Sequence, residues 1–239
     1  MTNEPMSHFD ALSSQRAIRH LSAHPVSDEV VDKLLAEGRR PDLGGEALSV
    51  TVLFSDIRGF TTLSEKLSAH EVVEMLNACF TRVCEPILEQ GGTVDKFIGD
   101  AVMAVFGSPV RHPDHARRAL RAALGMARAA EEFRGWMRQR YAGRGLPEFG
   151  LGVGLYTGVA VIGDIGTPRR KDFTAIGDTV NAASRLESAT KELGCVIAAS
   201  EATVAAAGPG VVTGKSEVIR VKGRAEPIRV CEILDLTDG

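Results

Sequence analysis

The stretch TVLFSDIRGFT, Thr51–Thr61, predicts a buried strand that ends in an aspartate. Its first five residues are rich in β-branched and aromatic side chains, and none is charged before Asp56. A carboxylate placed where such a strand ends points out of the sheet at its carboxyl edge, where α/β folds bind ligands. We therefore take Asp56 as the starting point of a candidate functional site.

A second stretch, VDKFIGDAVMAVF at Val94–Phe106, predicts a hairpin with Asp100 at its tip. If this hairpin pairs beside the first strand, Asp56 and Asp100 converge on a common cation. Two carboxylates in such positions fit two-metal phosphoryl or nucleotidyl transfer, and their oxygens suit Mg²⁺. The alternative is structural, since Asp56 could cap a helix and Asp100 could simply form the turn.

The composition indicates an ordinary globular protein. Of the 239 residues, 44% are hydrophobic and 25% are charged. The net charge of −3 gives no basic surface, so we expect no nucleic-acid partner. The chain shows no secretory signal and no stretch long and apolar enough for a membrane span. Four cysteines without a CxxC pair favour a reducing compartment, and we expect a cytoplasmic protein.

The chain divides into residues 1–46 and 47–239. The first part predicts one helix, from Ser27 to Gly38, and a linker over Arg39–Gly45. This segment is too small to be a domain. It is either a connector from an upstream regulatory segment or an oligomerisation helix, and the sequence leaves both open.

Helical patterns in the second part alternate with strand patterns. A capping box at Thr62 and Glu65 predicts a short helix. Three longer helices are expected at about Ala69–Glu89, Asp114–Arg140 and Thr179–Leu193. The arginines of the second of these three are expected to form a solvated face.

The remaining strands are shorter. A Thr157-Gly158 turn predicts a hairpin over residues 149–163, followed by a loop that contains Lys171–Thr174. Further strands are expected near residues 195–198, 217–221 and 228–233. The order β-α-α-β-β-α-β-β-α, then strands, predicts a mixed α+β sandwich with a largely antiparallel sheet.

Four motifs in order resemble those of the class III nucleotidyl cyclases. FSDIRGFT at Phe54–Thr61 resembles their first metal motif, and DKFIGD at Asp95–Asp100 their second. IGDTVNAASRL at Ile176–Leu186 is similar to their transition-state motif, and VKGR at Val221–Arg224 to their late phosphate-contacting motif. The resemblance covers residues 48–233 and is strongest to bacterial-type adenylyl cyclases.

The resemblance implies a role for individual residues. Asp56 and Asp100, with the Ile57 carbonyl, would bind two divalent cations, Mg²⁺ or in its place Mn²⁺. Lys96 would donate to adenine N1, and Thr174, where many members carry aspartate, would accept from the adenine amino group. Without the resemblance, Lys96 would be taken for a strand-edge charge.

Other residues would act on the ribose and the phosphates. Asn181 resembles the residue that orients the ribose, Arg185 the one that stabilises charge on the α-phosphate, and Lys222 the lysine that holds the terminal phosphates. Without the resemblance, Asn181 and Arg185 would be a polar surface pair on one helix face, and Lys222 a loop lysine. Backbone N–H groups after the first strand are expected to contact the triphosphate, in a loop made of Ile57, Arg58, Gly59, Phe60 and Thr61.

Two features depart from the expected pattern or compete with it. Gly152 stands where some members have a phosphate-binding arginine, and Arg58 could supply that contact instead. His112 and His115 flank Pro113 without a nearby third ligand, so helix-start histidines are favoured over a metal site.

The resemblance also implies an assembly and a reaction. It implies a ferredoxin-like sandwich with a βααββαβ core that forms a head-to-tail homodimer with two shared active sites. ATP would be converted to cyclic AMP and pyrophosphate. A guanylyl cyclase and a catalytically silent nucleotide-binding or interaction module remain as alternatives.

Overall fold

An eight-stranded, mainly antiparallel sheet forms the centre of the computed structural model, which describes residues 45–167, 170–220 and 226–237. The predicted helix at 27–38 and Lys222 lie outside these residues. The strands are β1 (Glu46–Ile57), β2 (Thr93–Ile98), β3 (Ala101–Phe106), β4 (Leu151–Thr167), β5 (Arg170–Ile176), β6 (Ile197–Ser200), β7 (Val211–Ile219) and β8 (Ile228–Leu236). Their order is β2-β3-β1-β4-β6-β8-β7, with β5 paired to β4. Among the described strand pairs, only β4 and β6 run parallel.

Five helices accompany the sheet in the described part of the chain: α1 (Phe60–Lys66), α2 (Ala69–Glu89), α3 (His115–Arg140), α4 (Asp178–Leu193) and α5 (Glu201–Ala207). The predicted α+β sandwich is confirmed, and β1 to β4 follow the expected βααββαβ order. A capping box is present at Ser68 and Glu71, where it starts α2. The one predicted at Thr62 is wrong, because α1 begins after Gly59, whose φ is 66°.

The two faces of the sheet are covered differently. Leu53, Val94 and Phe106 face the helices α1, α2 and α3 and belong to the largest core cluster. Val52 and Met103 point to the opposite side, which we call the α4 face because α4 packs there. Because successive side chains of a strand point to opposite faces, every second residue of a regular strand lies on the α4 face.

The predicted turn at Thr157-Gly158 is wrong, because β4 continues through it for 17 residues. Thr157 pairs with Thr51 of β1, and their hydroxyl oxygens are 2.8 Å apart. The Thr51 hydroxyl oxygen also lies 2.9 Å from Nδ1 of His115. A Cβ at Gly158 would lie 2.7 Å from Oγ1 of Thr179, so this glycine is needed for close packing of α4.

Two elements differ from the expectation for the second half. The segment expected to be a loop around Lys171–Thr174 forms β5, whose register pairs Ala175 with Ile162 of β4. Helix α5 was not predicted. Its N-cap Ser200 accepts a hydrogen bond from the Thr203 N–H.

The arginines of α3 are not all solvated as predicted. Arg117 donates to the carbonyl oxygens of Ala207, Pro209 and Thr237, and it thereby holds the end of α5 against the C-terminal strand. Arg118 pairs with Asp114 on the same helix. None of the helices in the described ranges has the length and hydropathy needed to cross a membrane.

Candidate active site

Asp56 and Asp100 lie side by side where β1 ends and the β2–β3 hairpin turns. Asp56 continues the alternating row of Val52 and Phe54 and so belongs to the α4 face. Antiparallel pairing of Ser55 with Val102 brings the tip of the β2–β3 hairpin next to it. Burial, together with contact with the Asp56 carboxylate and its charge, raises the pKa of Asp100 to about 7. The predicted convergence of these two side chains is confirmed.

A third carboxylate, Glu187 of α4, lies near Asp56. Gly152 is the strand partner of Asp56, and a Cβ added to it would lie 2.7 Å from Oε1 of Glu187. Burial, and secondarily the charge of Asp56, raises the pKa of Glu187. An arginine at position 152 would therefore require the side chains of α4 to move, which explains the glycine there.

The carboxylate pair has the chemistry of a Mg²⁺ or Mn²⁺ site. In the described ranges, no group of three or more His, Cys, Asp or Glu side chains is arranged to hold a metal ion. A cation at Asp56 and Asp100 would complete its coordination with the Ile57 carbonyl, water and ligand phosphate. Mg²⁺ is commonly bound in this way, by one or two carboxylates plus substrate oxygens. A cation would also offset the burial and the carboxylate repulsion that together raise the pKa of Asp100.

Lys96 and Thr174 are brought together by Asp95, a residue that we did not predict. A β-bulge shifts the register of β2 so that Val94 faces Ala104 but Lys96 faces Met103. The Thr174 hydroxyl donates to Oδ2 of Asp95 at 2.6 Å, and Nζ of Lys96 lies 3.4 Å from Oδ1. The available sequence signal is the pair of adjacent charges, Asp95-Lys96, which breaks the alternation of an otherwise apolar strand.

Asn181 and Arg185 are exposed on α4. The opposite side of α4 packs on β4 so closely that a Cβ at Gly154 would overlap the backbone of Glu187. Among the described residues, the Arg185 guanidinium has no hydrogen-bond or ion-pair partner. The helix thus presents both predicted residues to the surroundings and turns Glu187 towards Asp56.

The loop after β1 is formed as the sequence predicts, but its arginine binds within the chain. Gly59 has the left-handed conformation that lets β1 lead directly into α1, which includes Phe60 and Thr61. The Arg58 guanidinium donates to the carbonyl oxygens of Leu151 and Cys195. It therefore ties the end of β1 to neighbouring segments of the chain.

Comparison with known proteins identifies the family. Residues 45–231 match the family model described as "Adenylate and Guanylate cyclase catalytic domain". Adenylate cyclase 1 of Rhizobium meliloti is 38% identical over 212 residues, which is 87% of this chain and 31% of that protein. The adenylate cyclase of Anabaena cylindrica is 36% identical over 187 residues, 77% of this chain and 36% of that protein. The chain thus spans about a third of the length of these relatives.

Solved structures give the same result. The guanylyl cyclase Cya2 superposes with a TM-score of 0.74 at 33% identity, covering 82% of this chain and 96% of that one. The adenylyl cyclase CyaB from P. aeruginosa superposes with a TM-score of 0.72 at 32% identity, covering 82% and 98%. The resemblance inferred from the four motifs is confirmed, and the chain belongs to the family of adenylate and guanylate cyclase catalytic domains.

Proposed function

We propose that residues 47–239 form the catalytic domain of an adenylyl cyclase that converts ATP to cyclic AMP and pyrophosphate. The observation that carries the proposal is the pair of Asp56 and Asp100, two adjacent carboxylates that form no ion pair with any of the described residues. Such an arrangement costs stability unless a ligand compensates it. A metal-bound triphosphate supplies that compensation.

The cations that we propose are two Mg²⁺ ions, with Mn²⁺ as a substitute. When bound, they supply a lowered pKa for the ribose 3′-hydroxyl and neutralise charge on the phosphates. The chain contributes the Asp56 and Asp100 carboxylates and the Ile57 carbonyl. The N–H groups of Gly59, Phe60 and Thr61 are proposed to bind phosphate oxygens.

The base would be recognised by Lys96 and Thr174. A lysine ammonium donates hydrogen bonds, so it matches the unprotonated N1 of adenine and opposes the N1–H of guanine. A hydroxyl can accept from the adenine amino group, whereas guanine carries a carbonyl at the equivalent position. The preference for ATP over GTP therefore rests mainly on Lys96, and the Thr174 hydroxyl is compatible with it.

We propose that two copies of the chain share two equivalent sites. On one chain, α4 turns Glu187 towards Asp56 but exposes Asn181 and Arg185 on other sides of the helix. That orientation supports a role for Asn181 and Arg185 at the carboxylate pair of a partner. There Asn181 would orient the ribose and Arg185 would stabilise charge on the α-phosphate. Lys222 is proposed to hold the terminal phosphates.

The setting of this domain is also a proposal. Four buried, unpaired cysteines support a reducing compartment such as the cytoplasm. Residues 1–46 would either connect the domain to an upstream regulatory segment or contribute an oligomerisation helix.

The test combines an assay with a mixing experiment. Purified protein is incubated with Mn²⁺ or Mg²⁺ and with ATP or GTP, and the cyclic product is measured. We expect cyclic AMP, whereas no product from either nucleotide would leave a silent nucleotide-binding module. Asp56→Ala and Arg185→Ala chains should each be inactive alone, and a mixture should regain activity because one complete site forms. No recovery over a series of protein concentrations would contradict the shared site.

GTP is the second candidate substrate because the guanylyl cyclase Cya2 is as similar in fold as the adenylyl cyclase CyaB. Lys96 is the residue that argues against it. A higher kcat/KM for GTP than for ATP in the same assay would reverse the assignment.

A further inference from the structure

We propose that Asp95 is a positioning residue that sets the nucleotide preference of the site by fixing the hydrogen-bonding roles of Lys96 and Thr174. This inference rests on the proposed function and adds a residue to it. Asp95 would not touch the substrate. It would act through two side chains that do.

The contacts of Asp95 support this role. Its side chain is only 3% exposed, although it lies on β2 next to a lysine. Oδ2 accepts two hydrogen bonds, from the Thr174 hydroxyl at 2.6 Å and from the Ala175 N–H at 3.1 Å. Nζ of Lys96 lies 3.4 Å from Oδ1, within ion-pair range. One carboxylate therefore links β2 to β5 and contacts both proposed base-reading side chains.

The bulge in β2 makes this arrangement possible. In a regular strand, Asp95 and Lys96 would point to opposite faces of the sheet. The register shift between Val94 and Lys96 interrupts that alternation, so that Lys96 pairs with Met103 of the α4 face while its ammonium still reaches Asp95. Bulges often re-aim a side chain in this way beside active sites.

The bond to Asp95 decides what Thr174 can offer a base. A threonine hydroxyl has one proton and two lone pairs. Its proton is directed to Asp95 at 2.6 Å, because the Ala175 carbonyl oxygen, the other acceptor that the described residues place within reach, is 3.5 Å away. Only lone pairs remain for the base. Thr174 thus accepts from the amino group of adenine and cannot donate to the carbonyl of guanine.

The ion pair fixes the complementary role of Lys96. A lysine side chain is long and flexible, and its side chain here is 36% exposed. The Asp95 carboxylate holds the ammonium near Thr174 by an ion pair of 3.4 Å. Lys96 is then a donor next to an acceptor, which is the pattern that pairs with the N1 and amino group of adenine. Guanine presents the reverse pattern.

The main test is Asp95→Asn in the full chain. Asparagine keeps the size of the side chain and one oxygen for Thr174 or Ala175, but it loses the charge that holds Lys96. We expect kcat/KM for ATP to fall about tenfold to a hundredfold, mainly through a higher KM, and the ATP-to-GTP ratio of kcat/KM to fall at least about tenfold. The Mn²⁺ concentration that gives half-maximal rate should not change.

A matched control separates positioning from folding. Thr93 lines the same small cavity beside Asp95, but its hydroxyl donates to the Ser108 carbonyl and touches no proposed base-reading group. Thr93→Val should lower the unfolding temperature without changing the ATP-to-GTP ratio. Thr174→Ser should keep the ratio because it keeps the hydroxyl, whereas Thr174→Val should reduce it as Asp95→Asn does.

The outcomes distinguish this inference from the proposed function. An active enzyme whose Asp95→Asn variant keeps the wild-type ratio, or whose Thr93→Val control loses it equally, overturns the role of Asp95 and leaves the cyclase intact. If the wild type forms no cyclic nucleotide, nucleotide preference is measured instead as the rise in melting temperature that ATP or GTP causes in the presence of Mn²⁺. Asp95→Asn must then reduce the ATP shift relative to the GTP shift. An unchanged difference, or no binding of either nucleotide, overturns the inference.

Discussion

The base and the tip of the β2–β3 hairpin each carry an aspartate, and the two are treated in opposite ways. Asp95, at the base, is buried and contacts a hydroxyl, a backbone N–H and an ammonium. Asp100, at the tip, is half-buried against another carboxylate, and its pKa is raised to about 7. Asp95 thus has a cationic side chain of the chain beside it, whereas Asp100 contacts backbone N–H groups but faces a second carboxylate.

The difference indicates what each aspartate is for. A carboxylate whose partners are all on the chain holds those partners in place, and a ligand adds nothing to it. Two carboxylates that repel each other gain free energy when a cation binds between them. The hairpin thus combines a fixed base with a tip whose stability depends on a ligand.

The largest expected effect is the loss of turnover when the tip is changed. Asp100→Ala or Asp56→Ala should lower kcat for cyclic AMP formation at least about a thousandfold, because each removes a carboxylate ligand of the proposed cation site. The measurement is cyclic AMP formed with Mn²⁺ and ATP. Asp235→Ala, which removes an exposed carboxylate on β8, is the matched control and should keep wild-type rates. Near-normal turnover in either tip variant would contradict the metal role.

The next effect concerns stability at the base of the hairpin. Asp95→Ala removes the acceptor of two hydrogen bonds and leaves Thr174 and Lys96 without this partner. We expect the free energy of unfolding to fall by about 2–4 kcal/mol, as measured by urea denaturation of the metal-free protein. A change below about 0.5 kcal/mol would mean that the base is not stabilised by its carboxylate, and the contrast with the tip would disappear.

At the tip, the stability change should have the opposite sign. Asp100→Asn removes the repulsion from Asp56, so the metal-free protein should melt about 1–3 °C higher than the wild type. Adding Mn²⁺ should raise the melting temperature of the wild type and have a smaller effect on the variant. A lower melting temperature for Asp100→Asn without metal would show that the pair is not repulsive.

The burial of Asp100 and the same repulsion predict a pH dependence. The pKa of Asp100 is about 7 in the folded chain, against an ordinary value of 3.8. Between these values the folded state binds more protons than the unfolded state, so stability falls as pH rises from about 4 to about 7. Melting curves of the metal-free wild type should show this slope, and those of Asp100→Asn should show less of it. Equal slopes would assign the effect to other groups.

The smallest expected effect is the contribution of His115 to the pH dependence of stability. It must be separated from the slope that Asp100 causes. Burial lowers the pKa of His115, whose Nδ1 lies 2.9 Å from the Thr51 hydroxyl oxygen. The unfolded state therefore binds a proton first, and stability is lost as pH falls below 6.5. His115→Gln should remove this acid-side loss, which we expect to be under about 1 kcal/mol. If the variant loses as much stability below pH 6.5 as the wild type, His115 is not the source of that loss.

The sequence predicted elements whose signals are local. Helix α2 has the predicted limits of Ala69 and Glu89, and the hairpin tip at Gly99-Asp100 lies between the strands that its pattern indicated. The convergence of the Asp56 and Asp100 side chains was predicted from a strand end and a hairpin tip, and the structure places them together. The roles assigned to Asn181, Arg185 and Lys222 remain predictions.

The errors occurred where tertiary contacts decide. Gly158 was predicted to form a turn, but a glycine is needed there because a side chain would collide with Thr179 of α4. Thr179 is distant in sequence, so the local pattern could not indicate this contact. The segment at Thr174 was predicted to be a loop. It forms a strand because it pairs with β4 and bonds to the buried Asp95, and neither contact is visible in its own sequence pattern. Asp95 itself was passed over because its neighbours in sequence do not reveal that a bulge places it beside β5.

The close contact between α4 and β4 has a kinetic consequence. At Gly154 no side chain separates the helix from the strand, so α4 cannot slide without moving the strand that carries Gly152 beside Asp56. In the proposed dimer, Arg185 on this helix would act at one site, while Glu187 lies beside Asp56 of the other. Binding of nucleotide at one active site would then shift α4 and the strand beside the second active site. Binding of nucleotide at one site of the dimer should therefore change the affinity of the other, and the dependence of rate on ATP concentration should deviate from a simple hyperbola.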